Sequence, residues 1–331
     1  MINPLGVFFS LFSASTFGLT NAATRRGVLS TSASIAMYFS TLLGVPLFAL
    51  MALALGEVAQ AGRISGTGYL WLMGSGIMHF ILGRYCNYRA IGAIGSNRLQ
   101  PISATNLMFT VALSVLFLGE RPALHALVGT VLLILGPISA VSRRTSRLPV
   151  ATAAGSRTRI DASGNPPPVR LVEGYVFGVG SALFYGSSPV LIRLGLEGSN
   201  LGVLAAAVAC AAAAAVLGVG LLRPGQVQGM LRDAPPGGWF RNAPGATGFD
   251  TPFNWLLLGA LAISVSQLFR YLAISVMDVS LASPLISLAG VFSVFWAWVL
   301  NRRLETFSTN VMVGIALSIV GSIVLIAPIG M

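Results

Sequence analysis

Long apolar stretches alternate with short polar ones along this chain. They fall at roughly 5–23, 33–55, 69–90, 98–118 and 123–141, and again near 174–192, 200–222, 254–275, 282–300 and 308–328. Each holds about 20 mostly apolar residues, the length a helix needs to cross the hydrocarbon core of a bilayer. Barrel-type alternation is absent, and an open strand in lipid would leave backbone groups unpaired. The pattern predicts an all-α polytopic membrane protein with about ten transmembrane helices, arranged as two sets of five.

The two sets are copies. A shift of 168 residues lays Gly6, Phe9, Ser13, Ala14, Gly18, Arg25 and Gly27 on Gly174, Phe177, Ser181, Ala182, Gly186, Arg193 and Gly195. A shift of 183 lays Tyr88, Ala90, Ile91, Pro101, Phe109 and Val111 on Tyr271, Ala273, Ile274, Pro284, Phe292 and Val294. A shift of 185 lays Glu120, Gly129, Leu132, Ile134, Gly136 and Ile138 on Glu305, Gly314, Leu317, Ile319, Gly321 and Ile323. Five spans is an odd number, so the second copy enters the membrane from the opposite side. Such inverted-topology repeats mark many secondary transporters. The organisation expected is a first repeat at 1–141, a polar linker rich in Arg, Ser and Pro at 142–173, and a second repeat at 174–331. A further polar loop is expected near 223–252.

Composition agrees with this reading. Hydrophobic residues make up 55% of the 331 and charged residues only 9%, too few to cover a water-facing surface. The net charge of +11 comes from arginines spread through loops. That distribution fits contact with anionic headgroups and not a nucleic-acid-binding face. Cys86 and Cys210 both lie in apolar runs, which excludes a disulfide framework or a cysteine zinc site. The first apolar run lacks a preceding positive region, and Arg25 and Arg26 follow it, so it reads as a helix and not as a cleaved signal.

The paired segments Tyr88-Arg89-Ala90-Ile91, Pro101, Leu118-Gly119-Glu120-Arg121, Gly129, Gly136 and Tyr271-Leu272-Ala273-Ile274, Pro284, Arg303-Leu304-Glu305, Gly314, Gly321 resemble the EamA-type branch of the drug/metabolite transporter superfamily. The resemblance implies a ten-helix carrier of small metabolites. It implies a secondary transporter working by alternating access, most simply an exporter, in a bacterial inner membrane. A nucleotide-sugar exchanger or a lipid-linked sugar flippase is the alternative on the same scaffold. The substrate stays open, because these motifs belong to the scaffold.

The candidate substrate residues form two stripes. Arg84, Asn87 and Tyr88 share one helical face, and so do Gln267, Arg270 and Tyr271. In the repeat alignment Arg84 falls on Gln267 and Asn87 on Arg270. Such stripes suit an anionic or zwitterionic solute such as an amino acid. Alternatively, each Arg reaches back to lipid headgroups. Asn106 with Thr105, Asn21 with Thr20, and Ser187-Ser188-Pro189 are further polar groups inside spans, suited to lining a cavity or to interhelical bonding. His79 is expected to be a packed, neutral histidine. Glu120 and Glu305 are expected to cap the helices that follow them.

The expected partners are a small-molecule substrate and the lipid bilayer, with no nucleic acid; neither cofactor nor metal is expected. No carboxylate lies deep in a span, which argues against cationic drugs as substrates. A membrane-embedded enzyme would need a nucleophile and a base, and no His-Glu-x-x-His or Gly-x-Ser-x-Gly pattern is present. The two indications of orientation conflict. Arginines in the short loops put both termini outside by the positive-inside rule, whereas the resemblance implies cytoplasmic termini.

Overall fold

The computed structural model describes residues 3–28, 33–94, 102, 104–140, 171–222, 225, 228, 251–301 and 309–326. Of the expected loops, most of 142–173 and 223–252 lies outside these residues, as does Glu305. The helices are α1 (Pro4–Val28), α2 (Ala33–Ala54), α3 (Gly66–Gly76), α4 (Arg84–Ile94), α5 (Asn106–Leu118), α6 (Leu124–Ala140), α7 (Leu171–Gly195), α8 (Gly202–Leu221), α9 (Pro252–Val276), α10 (Val279–Ile286), α11 (Ala289–Asn301) and α12 (Thr309–Ile326). A π-helical stretch, Ile77–Gly83, joins α3 to α4. Because α7 begins at Leu171, the last three residues of the sequence-defined linker form its first turn.

Among the described residues five segments are long and apolar enough to cross a membrane, namely α2, α7, α8, α9 and α10 with α11, and shorter apolar helices lie within α1, α5, α6 and α12. Large apolar side chains such as Leu116, Leu124, Val172 and Ile323 face outward, as lipid contact requires. Inside, α8 offers Ala205, Ala206, Ala209 and Ala213, all fully buried. Small residues suit this interior, since helices in lipid associate through close packing and not through hydrophobic expulsion.

The halves interlock. α1 packs on α9 and α11 of the second half, while α7 packs on α3, α4 and α5 of the first. The contacts obey the repeat. A Cβ on Gly18 would lie 2.8 Å from the Phe292 Cβ, and a Cβ on Gly186 would lie 2.8 Å from the Phe109 Cβ. Residues 18 and 186, and 109 and 292, are repeat partners. α6 and α12 meet through glycines in the same reciprocal way: a Cβ on Gly129 would lie 2.6 Å from the Gly321 carbonyl oxygen, and one on Gly136 would lie 2.8 Å from that of Gly314. Ser13 and Ser266 each donate a hydroxyl proton to the other's backbone carbonyl, at 2.8 and 2.9 Å, and so bind α1 to α9.

Two spans expected to be continuous are interrupted. The fourth turns at Thr105 before α5, and the ninth turns at Ser287 and Leu288 between α10 and α11. The breaks are repeat partners. Met108 and Phe109 N–H groups donate to the Thr105 carbonyl at 3.0 and 3.3 Å, and Val291 and Phe292 donate to that of Leu288 at 2.9 and 3.1 Å. Pro284, inside α10, supplies no N–H to continue the ladder. Thr105 and Asn106 therefore sit at a helix start and not inside a helix.

Glu120 does not cap the helix that follows it. Its carboxylate accepts from the Val279 and Ser280 N–H groups, both at 2.8 Å, and so caps α10 in the other half. Glu57 does the same for α8, accepting from Leu204 N–H at 2.7 Å. A carboxylate satisfies unpaired donors at a helix N-terminus and meets the positive end of its dipole. Arg193 is the complement, donating to the Ile274 and Ser275 carbonyls at the end of α9. These groups border a vestibule of about 970 Å³ at the end of the molecule where α2 and α9 finish.

Two stability outcomes follow. Gly129→Ala forces the α6–α12 backbones apart and is expected to cost about 1–3 kcal/mol, as overpacking does. Gly74→Ala, with nothing within 4 Å of its Cβ, is expected to be neutral or to gain roughly 0.5–1 kcal/mol of helix preference; melting temperatures in detergent separate the two. For Glu57, burial pushes the carboxyl above its usual range, and the Leu204 and Val203 N–H groups pull it back only in part. The folded chain thus binds this proton more tightly than the unfolded chain. The associated stability is full below the usual carboxylate pKa and is lost as pH rises through the folded value. Melting temperature measured from about pH 4 to about pH 7 should fall for the wild type relative to Glu57→Gln. A constant difference across that range would contradict this account of Glu57.

Candidate functional site

The π stretch brings the third span's polar groups to the centre of the bundle. Gly76 lies against the Ala209 carbonyl of α8 so closely that a Cβ would overlap it, and a Cβ on Gly83 would lie 2.8 Å from the Tyr185 ring of α7. Two glycines thus let this wider turn press between α7 and α8 with His79 at its inner side. Single-turn π segments recur at functional sites.

Arg270 of α9 meets His79 there. It is 6% exposed. Its Nη2 donates to Ser188 Oγ of α7 at 2.8 Å, and its Nη1 donates to Gln267 Oε1 at 3.1 Å. Nη1 also lies 3.0 Å from His79 Nδ1 and 3.2 Å from Nε2. Gln267 Nε2 lies 3.3 Å from the same Nε2. A neutral imidazole accepts at one ring nitrogen only, so His79 accepts from Arg270 or from Gln267, not from both. Tyr271 is fully buried, its hydroxyl 3.3 Å from Ser75 Oγ. The Tyr185 ring lies 4.9 Å from that of His79.

Arg84 sits on the other side of Gln267. It is half-buried, with Nη1 3.5 Å from Ser40 Oγ and its guanidinium 5.6 Å above the Phe80 ring. A cavity of about 10 Å³ adjoins it, bordered by Thr41, Cys210, Ser264 and Gln267. The buried Thr41 hydroxyl, 2% exposed, has no hydrogen-bond partner. The site is therefore packed shut in this conformation.

The structure brings four sequence candidates together: Arg84, Gln267, Arg270 and Tyr271. Asn87 lies apart, 3.5 Å from Ser181 Oγ between α4 and α7. Asn106 heads α5, its carbonyl accepting from Thr110 and packed against Gly186. The Tyr88 and Asn21 side chains lie outside the described set. Burial rules out headgroup contact for Arg270. Arg89 does point outward, 2.6 Å from Glu173 in an exposed ion pair. His79 packs against the Tyr185 ring and lies within hydrogen-bond reach of both Arg270 and Gln267. Ser75 and Tyr185 were missed. Ser75 and His79 sit four residues apart in the chain, the spacing of one helical face, and that was their available signal.

Among the described residues no carboxylate accompanies these arginines. Of the nine acidic residues, the described ones are Glu57, Glu120, Glu173, Glu197 and Asp278, and all lie in turns or at helix ends. Among the described residues no cluster of His, Cys, Asp and Glu could hold a metal.

The profile of the EamA-like transporter family matches residues 4–141 and 172–327. No curated protein matches the chain. Among the solved structures that are similar is a crystal structure of a protein, with a TM-score of 0.64 and 18% identity over 97% of this chain and 95% of the other; at that identity the likeness is one of fold.

Proposed function

Because the chain belongs to the EamA-like transporter family, we propose that it carries a small organic solute with at least one anionic group, and that Arg270 is the group that holds it. The observation that supports this most is a buried guanidinium whose partners, Gln267, Ser188 and His79, are all neutral. A buried cation without a counter-charge is costly, and a solute anion meeting the guanidinium fork would offset that cost with charge-assisted bonds. Gln267 and Arg84 complete the proposed site. Tyr271, beside the Arg270 guanidinium, supports its wall.

Movement in this reading is alternating access. The vestibule leads from one membrane face, and the cluster lies between the interlocked halves. The symmetric breaks in the fourth and ninth spans are the points where helices can swing, since interrupted helices mark the moving parts of such carriers. Export across a bacterial plasma membrane is the direction and place we assign.

The test is uptake into proteoliposomes of a labelled panel of anionic and zwitterionic metabolites. Arg270→Gln keeps hydrogen-bonding capacity and removes the charge. Losing a charge-assisted pair should cut uptake by about tenfold or more, with Arg270→Lys recovering part of it. Arg270→Gln with undiminished uptake would make Arg270 a packing residue and end this reading.

A further inference from the structure

The cluster has a one-sided chemistry that narrows the solute class. We infer that the solute is a net organic anion, a carboxylate or phosphate ester carrying no ammonium group, and not a zwitterionic amino acid. This rests on the reading that the Arg270 cluster is the solute site.

An ammonium taken out of water needs a carboxylate, several oxygen acceptors or an uncovered aromatic face. Among the described residues no carboxylate stands in the cluster, because each is committed elsewhere or lies in a turn. Glu57 and Glu120 are committed to backbone N–H groups at the vestibule. Glu173 is committed to Arg89. Glu197 and Asp278 lie in turns bordering the vestibule.

The aromatic faces are also taken. The Arg84 guanidinium lies 5.6 Å from the Phe80 centroid, and that of Arg270 lies 6.0 Å from the Tyr271 centroid. The Tyr185 ring packs on His79. An ammonium placed at any of these would stand beside a guanidinium of like charge or displace the imidazole.

The remaining polar groups are mostly donors. Ser188 Oγ and Gln267 Oε1 already accept from Arg270. Ser75 Oγ donates to the Leu72 carbonyl at 2.7 Å, and its acceptor side faces the Tyr271 hydroxyl 3.3 Å away. The cavity is bordered by the Arg84 guanidinium, Gln267 and the Thr41 hydroxyl, and by the Ser40 and Ser264 hydroxyls, whose protons go to the Met37 and Ala260 carbonyls; the guanidinium and the Gln267 amide N–H are donor-only. Two cations and a surplus of donors match an oxyanion. The α-amino group of an amino acid would sit within the same field, where the repulsion of both guanidiniums acts on it.

The deciding experiment uses the purified full chain in detergent and matched compounds sharing one carbon skeleton: a 2-oxo acid, its 2-amino acid, the corresponding amine and a phosphate ester, in aliphatic and aromatic series. Thermal stabilisation is titrated for each, since a ligand bound to the folded state raises the melting temperature by mass action. The expected result is that the 2-oxo acid or the phosphate ester stabilises at concentrations about tenfold or more below those needed for the amino acid. Which of the two is stronger separates carboxylate from phosphate. An amino acid that stabilises as well as its oxo acid overturns the net-anion inference but leaves Arg270 as an anion anchor. Stabilisation by the amine alone, or by no oxyanion in the panel, overturns both. Arg84→Gln should narrow the gap between oxo acid and amino acid; an unchanged gap would remove Arg84 from the argument and, with it, the case for two cations.

Discussion

A guanidinium inside a bilayer must be held on every side, and the arrangement around Arg270 follows from that requirement. Its donors end on α7, on the π stretch and on its own helix. The bond to His79 therefore crosses between the two halves. Any motion that parts the halves must give that bond a new partner, either water or a solute. Polar groups in spans are expensive, and around Arg270 they satisfy each other.

The repeat explains the frame around this cluster but not its chemistry. Gly18 against Phe292 and Gly186 against Phe109 are one contact used twice, and so are the hydrogen bonds at the two helix breaks. The polar stripes depart from the symmetry. Arg84 falls where the second half has Gln267, and Asn87 where it has Arg270. In the structure Gln267 and Arg270 are fully inside, whereas Arg84 is half-buried and Asn87 reaches only Ser181. A symmetric scaffold carrying an asymmetric site is what a carrier needs if both conformations are to be similar in energy while only one solute chemistry is recognised.

The division between what was legible in the sequence and what was not has a physical cause. Spans, their inverted repetition and the Arg–Gln–Tyr stripes are local or periodic features, and hydropathy with residue spacing exposes them. Which helix Glu120 caps depends on a fold in which residue 279 comes beside residue 120, and no local pattern carries that. The same holds for Arg270: two turns from a helix end, it could as well have reached the headgroups, and only the position of α7 and the π stretch turned it inward. The π stretch itself had no separate signal beyond Gly76 and Gly83.

The distribution of acid completes the electrostatic argument. A vestibule bordered by Glu57, Glu120, Glu197 and Asp278 would on a simple charge count repel an anion approaching the arginines. Two of those carboxylates, however, are spent on helix N-termini, each facing the positive end of a macrodipole worth about half a unit charge. Arg63 and Arg193 lie on the same rim. The acidic groups therefore act as structural caps more than as a field across the opening. In the proposed reading, an anion that passes this rim would meet Arg84 and Arg270 deeper in the bundle, where no carboxylate among the described residues opposes them.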